Sequence, residues 1–327
     1  MITVVEPPQG GEPTAYLKGA PEVVLGMCSS IMLNSETVPL DETTRTKVID
    51  DYRKLASRGE RGLAIAWRTA KGARVPENEF TFIGLIGMID PPRPEVPDAI
   101  DKCRTAGIRV VMLTGDYGLT AETIARQIGL ITGRGLIVQG IELAEMDDSA
   151  LQDVLQSGEE LIFARIAPAQ KLRVVNAFQS LNEIVPVTGA GVNDAPALKN
   201  ADMGVAMGLM GTDVAQEANT MVTMDDNFAT IVTAVEEGRT IFDNIKKFIA
   251  YILTSNIPQI LPFIAYVLLD IPLPLTVVLI LSIDLGTDIV PALGLGAELP
   301  ETDVMKKKPR KRGERLLSRN LLLMSYG

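Results

Sequence analysis

The sequence predicts an α/β fold: a doubly wound parallel sheet, with a partial α+β region before it and a transmembrane helical hairpin after it. Three observations predict this. Between about residues 80 and 225, apolar strand-like runs alternate with helical stretches, the pattern of parallel strands joined by crossover helices. Residues 1–78 mix short strands and helices without that alternation. Two long segments almost free of charge follow, 248–269 and 273–297, each matching the roughly 20 residues a helix needs to cross a bilayer.

In chain order, "TAYLKG" reads as a strand entering a turn. "ETTRTKVIDDYRKLASRG" reads as an amphipathic helix stopped at Gly59, "GLAIAWRT" as a strand and "KGARVPENE" as a linker. The parallel set is expected from "FTFIGLIGMI", "IRVVMLTG", "ELIFARIA", "EIVPVTG" and "MGVAMG". The helices between are "PEVPDAIDKCRTAG", "TAETIARQIG", "PAQKLRVVNAFQSLN" and "TDVAQEANT". In such sheets, ligands bind beyond the carboxyl ends of the strands. From Asn227 a long helix is expected to run straight into the first membrane span. The short link "DIPLP" makes the two spans a hairpin. The run "KKKPRKRGER" at 306–315 places its end in the cytoplasm, so residues 1–240 are expected there too.

Composition sets outer bounds. The 327 residues suffice for about two domains. A net charge of −10 argues against non-specific nucleic-acid binding. Two cysteines, Cys28 and Cys103, form no disulfide framework and suit a reduced, cytosol-facing setting. No histidine is present, which excludes histidine bases and ligands within these residues. The mean hydropathy of +0.20 comes from the two apolar spans. The opening "MITVVEPPQGGEP" has no basic stretch leading into an apolar one, so no cleaved signal peptide is predicted.

Several short stretches carry candidate chemistry. In "VVMLTGDYGLTAETIA", Thr114, Gly115 and Asp116 lie between a buried strand and a helix, where a hydroxyl and an N–H can hold a phosphoryl oxygen. The same residues also make an ordinary strand-to-helix turn with an Asp cap. Lys171 in "APAQKLRVV" is either a point charge for a phosphoryl group or a solvated helix lysine. "IDPPRPEVPDAI" combines strand-end Asp90 and Arg93 with prolines that also simply stiffen a loop and start a helix. "YLKGAPEVV" sets Lys18 beside a glycine, as an approach for a nucleotide or as a plain turn. "VPVTGAGVNDAPALKN" reads as a tight loop aiming Asn193 and Asp194 at a phosphate or metal, with the chemically inert Ala190 in its middle.

The membrane pair carries its own pattern. Ser255 and Gln259 share a helix face at i, i+4, with Asn256 beside Ser255. Pro258 and Pro262 free backbone carbonyls. Asp284 and Asp288 are again i, i+4, with Thr287 adjacent. A charge at mid-membrane costs about 2.5–3.5 kcal/mol on insertion scales, which makes an ion pathway the default reading and a polar helix–helix clamp the alternative. Oxygen-only groups suit hard cations such as calcium, sodium or potassium, and no Cys or His lies in either span for a soft metal.

Taken in order, "KGAPE", "DPPRPEVPDAI", "MLTGD", "KLRVV", "TGAGVNDAPALKNADMGVAMG" and "DDNFATIVTAVEEGR" resemble the P-type cation-transporting ATPases. The resemblance runs over essentially the whole chain and is nearest the branch of calcium and sodium/potassium pumps, in a bacterial form. It implies ATP-driven cation transport through an aspartyl phosphate, with ATP and magnesium as cofactors. The expected setting is a multi-pass protein of a bacterial plasma membrane. It implies a partial nucleotide-binding domain at 1–78, a haloacid-dehalogenase-like phosphorylation domain at 79–240, two transmembrane helices at 241–298, and a cytoplasmic basic loop with the start of the next helix at 299–327. Lys18 and Arg61 would contact ATP. Asp90, Arg93, Thr114, Gly115 and Asp116 would line the nucleotide and phosphate side. Lys171 would steady the aspartyl phosphate, and Asn193 and Asp194 would complete the magnesium and phosphate loop. Ser255, Asn256, Gln259, Asp284, Thr287 and Asp288 would face the transported ion.

The chain departs from the family's motifs. The family's "TGDGVND" loop is "TGAGVND" here, so the acid that ligates magnesium is replaced by Ala190. The phosphorylated-aspartate motif "DKTGT" and the dephosphorylation motif "TGES" are both missing from the 327 residues. The chain is therefore expected to be a fragment that does not phosphorylate itself, with two alternatives: a split-pump subunit whose N-terminal half comes from another chain, or a non-catalytic regulatory or decayed membrane protein. Gln259 stands where many relatives carry a glutamate, which leaves the ion undecided.

Overall fold

The computed structural model describes residues 1–6, 11–70, 77–217, 219–269, 271–273 and 275–317. It divides into two compact units: residues Met1–Pro97 with Val111–Phe178, and residues Asp98–Val110 with Gln179–Gly327.

The first unit holds two sheets. Strands β1 (Ile2–Val5), β2 (Thr14–Gly19), β3 (Cys28–Leu33), β4 (Glu36–Pro39), β5 (Arg61–Thr69) and β6 (Phe80–Met88) form one in the order β1-β2-β5-β6-β3-β4, antiparallel except for the β3–β6 pair. Helices α1 (Pro21–Gly26) and α2 (Glu42–Ala56) belong to this region. Asp41 caps α2 by accepting from the Thr44 amide at 2.8 Å, and Gly59 beyond its end has φ +81°, the left-handed geometry that suits glycine. Strand alternation sends Ala15 and Leu17 of β2 and Phe80 and Phe82 of β6 into a core with Val24, Leu25, Cys28 and Ile31. Arg45 of α2 donates to the Cys28 carbonyl at 2.7 Å and so ties helix to sheet.

Strand β6 corrects the expectation that it opens the parallel set. It pairs antiparallel with β5 and parallel with β3. The physical reason is in its burial: Phe80 and Phe82 are buried while Ile83, Ile86 and Met88 are exposed, a one-sided strand rather than one covered on both faces. An apolar run alone does not separate the two cases.

The unit's second sheet is parallel, in the order β7-β9-β8, from β7 (Met112–Leu113), β8 (Gly135–Gln139) and β9 (Glu160–Ala164). The central strand β9, "ELIFA", is buried at every position after its first, as a strand covered on both faces must be. The crossovers include α4 (Gly118–Gln127), α5 (Gly140–Glu145) and α6 (Asp148–Gln156), with α7 (Pro168–Ser180) after β9. Strand β8 and helices α5 and α6 were not among the sequence expectations.

The second unit takes in α3 (Val96–Thr105) from Asp98 onward and a further parallel sheet. That sheet is β10 (Pro186–Gly189), β11 (Met203–Met207) and β12 (Met221–Thr223), in that order. Helices α8 (Ala195–Asn200) and α9 (Asp213–Glu217) connect its strands. The parallel α/β character expected from the alternation is thus present as two separate three-stranded sheets. Helix α10 runs from Phe228 to Leu269, 42 residues with Pro258 and Pro262 inside it, as the expected continuous helix. It is followed by α11 (Val277–Ile283), a π turn at Asp284–Asp288 and α12 (Ile289–Gly296). Phe228–Leu269 and Val277–Gly296 are both long and apolar enough to cross a membrane. Most of the predicted 71–79 linker, two residues of "DIPLP" and the expected start of a further helix after 317 lie outside the described residues.

Candidate functional site

Three groups of candidate residues have defined geometry. The first is in the first unit. Lys18 is exposed on the face of β2 opposite Ala15 and Leu17, with Ile65 of β5 as its cross-strand neighbour. Arg61 opens β5, and its Nε lies 3.2 Å from Asp116 Oδ1. The structure therefore joins two residues expected to serve a nucleotide. Thr114 Oγ1 accepts the Asp116 amide at 3.1 Å and keeps its own proton to donate. Backbone bonds from Thr114 N to Phe163 O (2.9 Å), Ile166 N to Thr114 O (3.2 Å) and Arg165 N to Asp116 O (3.1 Å) fix the loop to the end of β9. Gly115 sits exposed at its tip. Asp90 and Arg93 are exposed, and Asp90 lies two residues past Met88, the register partner of Arg61. Lys171, in the first turn of α7, is half-buried and already engaged.

Arg165 escaped the sequence reading. It follows β9 with φ +55°, its guanidinium 3.2 Å from Glu22 and 5.7 Å from the Tyr117 ring centre, and Tyr117 in turn lies 5.0 Å from Tyr52. Burial, with Glu22 adding to it, pushes the Tyr52 phenol up to about 12. The available signal was a lone cation directly after an unbroken apolar strand.

The second group is the glycine loop of the second unit. Asp194 Oδ2 accepts the Gly191 amide at 3.2 Å. A Cβ on Gly189 would lie 2.6 Å from Asp194 Cβ, so the approach of Asp194 requires glycine there. Asn193 is exposed, and the Ala190 carbonyl accepts from the Thr212 amide at 3.0 Å. Magnesium binds near-octahedral oxygen donors, commonly one or two carboxylates with phosphate and water. This loop supplies one carboxylate, already turned onto its own backbone, and among the described residues no three acidic, histidine or cysteine groups come together. The donor set does not fit a magnesium centre.

The third group is the helical hairpin. Ser255 Oγ donates to Asp288 Oδ2 at 2.9 Å, and Gln259 Nε2 donates to Asp284 Oδ1 at 3.2 Å. The i, i+4 spacing on each helix matches residue for residue, 255 with 288 and 259 with 284, because the helices run antiparallel. Thr287 Oγ1 donates to Ile283 O at 2.7 Å and lies 3.3 Å from Asp288 Oδ1. Tyr251, also missed in the sequence, donates to the Thr287 carbonyl at 2.7 Å. Asp288 is only 9% exposed. Asn256 is half-buried, and its side chain makes no hydrogen bond among the described residues. The π turn loosens the helix where both acids sit, and Pro258 leaves the Thr254 carbonyl without its helical donor. Carboxylate, hydroxyl and carbonyl oxygens gathered between two membrane-length helices make a hard-cation environment.

Residues 1–95 match the family described as P-type ATPase, cytoplasmic domain N, and residues 272–327 match that described as cation transporting ATPase, C-terminus. The chain belongs to the P-type cation-transporting ATPases. It is 46% identical over 348 residues to the sodium/potassium-transporting ATPase subunit alpha-4 of Rattus norvegicus, covering 95% of this chain and 34% of that protein. It is 44% identical over 360 residues to the sodium/potassium-transporting ATPase subunit alpha-2 of Gallus gallus, covering 98% of this chain and 35% of the relative. The subunit alpha of Tetronarce californica matches at 44% over 349 residues, 95% and 34%. The chain thus spans about a third of the length of the curated relatives it matches.

Proposed function

We propose that this chain is the central part of an ATP-driven pump for a hard cation. The observation that carries the reading is the double pairing of Asp288 with Ser255 and Asp284 with Gln259 across two membrane-length helices. The named relatives are sodium/potassium-transporting proteins, which supports sodium or potassium as the ion. In this reading Ser255, Asn256, Gln259, Asp284, Thr287 and Asp288 hold the ion within a membrane. The two parallel sheets are parts of one haloacid-dehalogenase-like phosphorylation domain within 79–240, residues 1–78 together with strand β6 are part of a nucleotide-binding domain, and 241–298 are the membrane pair. The named relatives are animal proteins, which gives a bacterial membrane no support.

Lys18 and Arg61 serve the ATP phosphates, and Thr114, Gly115 and Asp116 form the phosphoryl-facing turn. Asp90, Arg93, Lys171, Asn193 and Asp194 complete the nucleotide and phosphate side. The Arg61–Asp116 pair supports this placement, because a cation and an acid held at a strand-end loop can exchange each other for a phosphate and its counter-ion. Ala190 supplies no metal ligand, and the phosphorylatable aspartate lies outside these residues. Turnover therefore requires that aspartate from chain beyond the 327 residues or from a partner. The test is equilibrium binding of radioactive sodium, rubidium and calcium to the full chain in lipid nanodiscs. Saturable binding lost in both Asp284→Asn and Asp288→Asn is expected. Binding unchanged in either variant overturns the ion site.

A further inference from the structure

The run Lys306–Arg315 is not used by the ion site or the nucleotide loops, and its geometry is more ordered than a solvated charge run requires. It is fastened along one side. The Arg239 guanidinium of α10 donates to the Val304 carbonyl at 3.1 Å and the Lys307 carbonyl at 2.8 Å, while its other arm donates to the Ala106 carbonyl at 3.0 Å. Met305 packs against a small core of Ala99, Cys103 and Val232. Pro309 closes over Gly107, where an added Cβ would stand 2.9 Å from Pro309 Cδ. The Arg310 guanidinium lies 3.3 Å from the Phe242 ring centre. Arg312 reaches Asp202 at 2.7 Å and the Glu183 carbonyl at 3.3 Å. The residues between Lys308 and Glu314 curl around an open cavity of about 550 Å³.

The acids near this loop are already matched. Glu298 and Glu301 take Lys247, Asp303 and Asp243 take Lys307, Glu314 takes Lys246, and Asp202 takes Arg312. Lys306, Lys308, Lys311 and Arg315 are exposed and have no acidic partner among the described residues. Four surplus cations are therefore held on a preorganised loop beginning ten residues after Gly296, the last residue of the second membrane-length helix. A topological signal needs only the count of positive charges near a span. It does not need them fastened around a cavity with their competing acids neutralised. Ordered cations at that position match the phosphoryl and carboxylate groups of anionic lipids in the inner leaflet, and fastening the loop beforehand lowers the ordering cost of binding.

We propose that Lys306, Lys308, Lys311 and Arg315 form a binding site for the headgroup of an anionic phospholipid. The inference is independent of which ion the hairpin carries. Each cation near an anionic surface contributes about fivefold in partition, so removing four costs up to several hundredfold. The test uses the full chain in neutral detergent, titrated with dioctanoyl phosphatidylinositol bisphosphate, phosphatidylserine or phosphatidylcholine and read by native mass spectrometry. The expected result is retention of both anionic lipids over phosphatidylcholine by at least about tenfold, and loss of that preference in the K306Q/K308Q/K311Q/R315Q variant. An all-arginine variant at 306, 308 and 311 keeps the charge and should keep the lipid. Equal retention of the neutral lipid, or undiminished anionic binding by the glutamine variant, overturns the proposal. Full displacement of the lipid by an equal concentration of inorganic phosphate also overturns it, by assigning the site to a soluble anion.

Discussion

Gln259→Glu gives the sharpest test of the hairpin. Gln259 Nε2 lies 3.2 Å from Asp284 Oδ1, and a glutamate in the same rotamer puts an anionic oxygen where the donor stood. Two unit charges at that separation repel by roughly 5 kcal/mol at an effective dielectric of about 20. The hydrogen bond is lost as well, so the pair is stable only with a positive species between the oxygens. Two oxygens 3.2 Å apart both reach an ion at about 2.4 Å with an oxygen–ion–oxygen angle of about 84°, a geometry calcium tolerates. Recovering even a third of the repulsion tightens calcium binding by at least about tenfold. The assay is radioactive calcium binding to the full chain in nanodiscs, for Gln259→Glu, Asp284→Asn and the double variant. The gain should vanish in the double variant, since the two positions act as a pair. An unchanged calcium affinity, or a gain that persists without Asp284, refutes the reasoning.

Three further outcomes are expected. Ala190→Asp adds a second carboxylate to a loop that has one in Asp194, and magnesium affinity by calorimetry should rise at least about tenfold; no rise means the loop does not present both acids to one ion. Phe163→Ala empties a fully buried position in the central strand β9 and should cost about 3–5 kcal/mol, read as loss of amide protection in β7 and β8 by hydrogen exchange. Asp202 gives a pH dependence. Burial pushes its carboxyl up, but the Val185 amide, the Gln179 side chain and the Arg312 guanidinium outweigh burial and hold it below the usual carboxylate range. Its stabilisation is therefore complete above the ordinary carboxylate value of about 4 and fades as pH falls through the lowered folded value. Hydrogen exchange around Val185 and Arg312 should accelerate in that acid window, and Asp202→Asn should remove the pH dependence there.

Particular residues show what was legible. The Gly59 stop and the continuous helix out of Phe228 follow from local chemistry, since a helix stop or a helical period involves only neighbouring residues. The i, i+4 spacings of Ser255 with Gln259 and Asp284 with Asp288 were equally plain. Strand β6 misled because a nine-residue apolar run does not say whether one face or two will be covered. Arg165 and Tyr251 were invisible because each matters through a residue far away in sequence, Glu22 and Thr287.

By itself the sequence determined many of the longer elements, the two membrane-length helices and most of the residues of the candidate sites, because periodicity, capping and charge are short-range properties of the chain. The tertiary structure alone decided which sheet β6 joins, that Arg61 neutralises Asp116, that Ser255 meets Asp288 while Gln259 meets Asp284, and which cations after Gly296 have no acidic partner among the described residues. Those outcomes depend on which faces of distant segments bury each other, and no local pattern carries that information.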